Sequence, residues 1–162
     1  MTLLPATLAS GLEGMEPTDD EPTAINNFVD AWEDYFSNAS VSGVVTTPGT
    51  LTTALTTMKA GLVGMSEASA GAALIQTAIT TFWATVAATA ATIWVVVPAI
   101  LSATPPPGLG GIATALTSAF AGNQTGKLDL AASALVVATA LHLTQLGGVT
   151  AQGPPPTAGT IV

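Results

Sequence analysis

The chain has 162 residues, with ten acids, two cations, one histidine, no cysteine and a formal net charge of −8. Two cations, Lys59 and Lys127, are too few to neutralise a run of nucleic-acid phosphates. The lack of Cys excludes a disulfide scaffold, a thiol nucleophile and a Cys zinc site.

Only 7% of residues are charged while 49% are hydrophobic, against about 25% charged in a typical soluble domain. Ala (30) and Thr (26) fill the difference. Such a chain has three ways to present its surface. Other protein copies can cover it, lipid can surround part of it, or Thr, Ser, Gln and Gly can face water. The length suits one domain with its own core.

The first ten residues carry no basic leader, and their short apolar run is broken by Pro5, so no secretory signal is expected. Eight of the ten acids then fall between Glu13 and Asp34, and none of the residues from Ala68 to Gly126 is charged. The chain is therefore polar at one end and neutral beyond it.

A helix is expected over 18–38. Thr18-Asp19-Asp20-Glu21 has capping-box spacing, and Pro22 fits a first turn. Ile25, Phe28, Val29, Trp32 and Phe36 recur at steps of three and four, with Asp30, Glu33 and Asp34 off that stripe. Residues 41–49 read as an extended connector. Leu51, Leu55, Met58 and Leu62 mark a second amphipathic helix that ends near Gly61 or Gly64. Its outer positions are mostly Thr.

A long central helix is expected over 66–101, with Ser66 as N-cap and Pro98 ending or kinking it. The run 102–111 reads as a rigid Pro connector followed by a flexible Gly joint. Ile112, Leu116, Ala119 and Phe120 suggest a short helix closed by Gly122. A last helix is expected over 127–146, with apolar residues on two faces implying burial on more than one side. Residues 147–162 form a Pro/Gly-rich tail, either disordered or laid on a neighbour as an extended arm. The fold class is all-α: a small bundle over 1–146 with a long central apolar helix. Thr weakens helix propensity through its branched Cβ, but regular alternation, the mark of a sandwich or barrel, is missing.

Residues 72–101 are long and neutral enough to span lipid. Against this, Gln76 and six Thr run through the segment, and no flanking basic residues orient it. Trp83 and Trp94 are also only about 16 Å apart along a helix, too close for belts at opposite interfaces. A central core helix accounts for the pattern better.

No motif names a reaction. His142 has Asp129 on its own helix but thirteen residues away, so no triad forms there; a core or interface hydrogen bond suits it. The acids at 19–21 and 30–34 lack a calcium loop and read as a cap and a wet face. Gly108-Leu-Gly-Gly111 lacks nucleotide-loop spacing and reads as a turn. No catalytic, cofactor or metal residue is assigned. Trp32, Phe36, Phe82, Trp83, Ile93 and Trp94 are the expected interface or core anchors.

Four segments give the chain its texture: FVDAWEDYF (28–36), ITTFWATV (79–86), PPPGLGG (105–111) and ALHLTQL with the tail ending GTIV (140–162). In these the chain resembles small Ala/Thr/Gly-rich structural proteins of tailed viruses. The resemblance implies a non-enzymatic capsid, neck or tail component, present in several copies and partnered by itself and other virion proteins. Localisation to the virion follows. The alternative is a small integral membrane protein spanning lipid with 72–101. Both rest on one expectation: the neutral stretch is hidden from water by something beyond a single chain.

Overall fold

A computed structural model describes residues 3–15, 20–39, 51–67, 70–93, 102–120, 134–145, 150–153 and 157–160. The fold is all-α. Six α-helices occur among these residues: α1 (Pro5–Glu13), α2 (Glu21–Ser37), α3 (Thr52–Gly61), α4 (Gly71–Ile93), α5 (Ile112–Ala119) and α6 (Ala134–Gln145). Three short strands, β1 (Ser102–Ala103), β2 (Thr150–Gly153) and β3 (Thr157–Thr160), form an antiparallel sheet in the order β1-β2-β3.

No sequence pattern announces α1. Pro5 begins the helix, at a position where its missing N–H costs nothing. Leu8, Ala9 and Leu12 then bury one face against α2 and α6. α1 and α2 approach closely because residue 11 is Gly. A methyl added there would overlap the Ala31 side chain and lie 2.9 Å from Ala31 Cα.

α2 starts two residues later than the capping-box reading. Asp20 is the N-cap, and its carboxylate accepts from Thr23 N–H at 2.8 Å. Residues 16–19, which held the rest of that motif, lie outside the described residues. The expected apolar stripe is buried as Ile25, Phe28, Val29, Trp32 and Phe36, joined by Tyr35.

α3 buries Ala54, Leu55 and Met58 and ends at Gly61, as its stripe required. The chain then turns through Gly64, whose φ of +90° is a conformation that favours Gly. Glu21 at the start of α2 accepts from Gly64 N–H, tying the turn down. That turn displaces the central helix: α4 begins at Gly71, not at 66, and Ser66 is not its cap. The first helical bond runs from Leu74 N–H to the Ala70 carbonyl. At the other end α4 is described to Ile93, the expected stretch 94–101 lies outside the described residues, and Ser102 and Ala103 are extended. Within it, Thr89 departs from helical geometry (φ −113°, ψ 15°). Its hydroxyl donates to the Thr85 carbonyl at 2.7 Å, a contact of the kind that bends helices.

Pro107–Gly111 is a 3₁₀ turn, not a flexible joint. It leads into α5, which has no side-chain cap of its own. Gln76 of α4 supplies one by accepting from Ala113 N–H at 2.8 Å. Gly108 in the same turn lies against the Thr144 backbone of α6, where a methyl would come within 3.0 Å of Thr144 Cα. The expected start of the last helix at 127, the closing Gly122 and the connector 41–49 lie outside the described residues. The tail does not need a neighbour to pair with. β2 and β3 form a hairpin, and β2 pairs with β1 of the same chain, Ser102 opposite Gln152 and Ala103 opposite Ala151.

Candidate functional site

Four of the six expected anchors meet in one place. Trp32, Phe36, Phe82 and Trp83 are all buried where α2 faces α4. Phe36 lies edge-on to Phe82 and to Trp83, each at 5.0 Å between centroids. Trp32 meets Phe82 at 5.9 Å and Tyr35 at 5.3 Å. Edge-to-face geometry of this kind adds to the simple burial of the rings. These residues are core, so they are not available to a partner. Trp94 lies outside the described residues, and Ile93 closes α4 with nothing described of its side chain.

His142 is paired, through a partner the sequence did not indicate. Its Nδ1 lies 2.9 Å from the Tyr35 hydroxyl, joining α6 to α2. In one tautomer the phenol donates to the ring; in the other the ring donates to the phenol. Burial pushes the Tyr35 phenol above its ordinary range and pulls His142 below 6.5. Both groups are held neutral, which suits a structural bond better than proton transfer.

The sign of the resulting pH effect is fixed. An unfolded chain takes up a proton on His142 near 6.5, before the folded chain does. Stability present above that pH is therefore lost as pH falls towards the lower folded value. The melting temperature is expected to fall between about pH 7.5 and about pH 5.5. A His142→Gln variant, which keeps a hydrogen-bonding group but does not titrate, is expected to lack that slope. Thermal melts across this interval provide the measurement.

The acids do not converge. Asp20 is used as a cap, and hydrogen bonds from Thr23 hold its carboxyl below the ordinary carboxylate range. Asp30, Glu33 and Asp34 are exposed along the outer side of α2. Among the described residues, His, Asp and Glu form no group of three able to hold a metal ion. An open groove of about 520 Å³ between α2 and α3 is lined mainly by apolar groups, with Lys59 and Glu21 at its edge. Of its polar lining, Glu21 already accepts from Gly64 N–H and the Thr56 hydroxyl donates to the Thr52 carbonyl.

What remains is the outer surface of the neutral helices. On α4 the outward residues are Ala73, Thr77, Thr80, Thr81, Ala84 and Ala88. Thr77, Thr80 and Thr81 donate their hydroxyls to the carbonyls four residues back, at 2.8–2.9 Å. On α5, Thr117 and Ser118 do the same. These donors are spent on the helices' own carbonyls. The large apolar residues of α4, namely Ile75, Ile79, Phe82, Trp83 and Val86, are covered by the chain itself. The expectation that another molecule hides the neutral stretch is corrected for these residues. It is left with the Ala/Thr face alone.

α6 differs. Ala134, Val137, Ala138 and Leu141 are buried, but Leu135, Val136 and Leu143 are 63%, 57% and 62% exposed. The two-faced apolar pattern predicts burial on more than one side; in the structure one side is covered and the other is open. Comparison with protein-family models, curated proteins and solved structures gives no match to this chain.

Proposed function

We propose that the protein is a non-enzymatic structural subunit of a virus particle, a capsid, neck or tail component that associates in several copies through uncharged helical faces. The observation that carries the reading is the outer surface of α4, α5 and α6, which has no Asp, Glu, Lys or Arg among the described residues; the half-buried His142 is bonded to Tyr35. Burying a polar group is costly when its hydrogen bonds are lost. Here the outward Thr donors of α4 already have intrahelical acceptors, so a neighbour can cover them at little desolvation cost. Association through such a face depends weakly on salt screening at the contact itself. The acidic face of α2 stays in water, where it keeps copies from meeting the wrong way round. The virion assignment draws on the resemblance of 28–36, 79–86, 105–111 and 140–162 to structural proteins of tailed viruses.

The alternative, a lipid-spanning protein, is favoured by one feature: Gly71–Thr89 is long and apolar enough to cross a membrane. The orientation of its side chains counts against it. Ile75, Ile79, Phe82 and Val86 point inward, whereas a helix in hydrocarbon turns such residues towards the lipid. Mass measurement on the full chain, with and without detergent, separates the readings. A multi-copy, concentration-dependent mass that detergent leaves unchanged is expected. Recovery only within micelles would favour lipid, and a monomer at every concentration would defeat both.

A further inference from the structure

We infer that two copies of this chain meet through the outer face of α6, antiparallel about a twofold axis at Thr139. The inference rests on the assembly reading and names its surface and occupant.

The surface is defined by Leu135, Val136 and Leu143, each more than half exposed, with exposed Thr139 between them. Large apolar side chains thus point outward one turn before and one turn after Thr139. Isolated exposed apolar residues are ordinary, but a contiguous group on one element marks an interaction site.

Two features select a second copy as the occupant. The first is charge. Each copy carries a net charge of −8, so contact between copies is least opposed where neither presents acids. The outer face of α2, with Asp30, Glu33 and Asp34 exposed, would set like charge against like charge. α6 has no acidic residue, and its histidine is engaged with Tyr35.

The second is symmetry. In a twofold contact the same patch must complement itself. Leu135 and Leu143 stand four residues before and four after Thr139, so all three share one side of the helix. Antiparallel pairing centred on Thr139 places Leu135 of each copy against Leu143 of the other. The centre of the contact is small, which permits helix axes about 8–10 Å apart. The Thr139 hydroxyl donates to the Leu135 carbonyl at 2.7 Å, so no free donor is trapped at the axis. The three large side chains anchor the contact.

The chain has no cysteine, so one introduced thiol reports its own position. Thr139→Cys at the axis would face the same thiol of the other copy within disulfide reach. Ser37→Cys, exposed at the end of α2 and away from the neutral faces, would not. Oxidation of the two full-length variants at equal concentration is expected to give covalent dimer about tenfold faster for Thr139→Cys. Sedimentation of the cysteine-free chain is expected to show a dimer that Leu143→Gln weakens about tenfold. Val63→Gln, at an equally exposed apolar position outside α6, is expected to leave it unchanged. Added salt is expected to tighten the dimer by screening the repulsion between acidic copies. Circular dichroism establishes that each variant folds.

Equal cross-linking of the two thiols, with a multi-copy mass indifferent to Leu143→Gln, would overturn the α6 inference and leave the assembly reading standing. A monomer at every concentration would overturn both. Binding of the chain to phosphatidylcholine vesicles, lost in Leu143→Gln, would make the α6 face a lipid surface and overturn the inference in another way.

Discussion

Trp83→Ala is expected to destabilise the protein by about 3–5 kcal/mol, the range for removing a large buried aromatic side chain. Trp83 is 1% exposed and contacts Phe36 and Phe82 edge-on, at 5.0 and 5.9 Å. These contacts join α2 to the middle of α4, so the cavity opens at the centre of the bundle. Neighbouring rings cannot collapse into it without giving up their own edge contacts. A loss of this size is a large part of the roughly 5–15 kcal/mol that holds a domain folded. Urea titration checks it, as a fall in the midpoint with the slope unchanged. Thr81→Ala, two residues away but turned outward, is expected to move stability by no more than about 0.5 kcal/mol.

The second large effect is at Gly11. In an isolated helix, Gly to Ala gains up to about 1 kcal/mol from reduced chain entropy. Here the sign reverses. The added methyl would meet both the side chain and the backbone of Ala31, and the backbone cannot yield without moving α2. Gly11→Ala is expected to cost about 1–3 kcal/mol, the usual range for overpacking. Gly14, at the end of the same helix, would bring its methyl no closer than 3.5 Å to a carbonyl, so Gly14→Ala should be close to neutral. Ala31→Gly combined with Gly11→Ala should recover part of the loss, because the overlapping methyl is gone. Melting curves of the single and double variants decide this. A Gly11→Ala protein more stable than the natural chain would show that the two helices do not touch there.

These two sites differ in how far the sequence exposed them. The stripe Ile25, Phe28, Val29, Trp32 and Phe36 declared α2 and its buried face, because helical periodicity is a local property. Phe82 and Trp83 were legible as anchors for the same reason, but whether they faced a core or a partner depended on α2, which is distant in sequence. α1 was missed because Pro5 was weighed as a breaker, when at the first helical position it is a start signal. The usable sign was Leu8 and Leu12, one turn apart. The start of α4 was misplaced because Ser66 is a good cap by type, while the backbone at Gly64 had already committed the chain to a turn.

The candidate surface was legible only in part. Absence of charge announced a neutral exterior. It did not say that α4 would turn its large side chains inward while α6 left Leu135, Val136 and Leu143 outside. Both helices are apolar on most sides, and periodicity alone cannot rank two apolar faces. The Tyr35–His142 bond spans 107 positions and has no local signature.

The contact of α1 with α6, and of β1 with β2, bears on how the chain is made. Synthesis delivers α1 more than a hundred residues before α6, one of its two neighbouring helices. The bundle therefore closes late, and Leu8 and Leu12 wait without their full cover while the rest is translated.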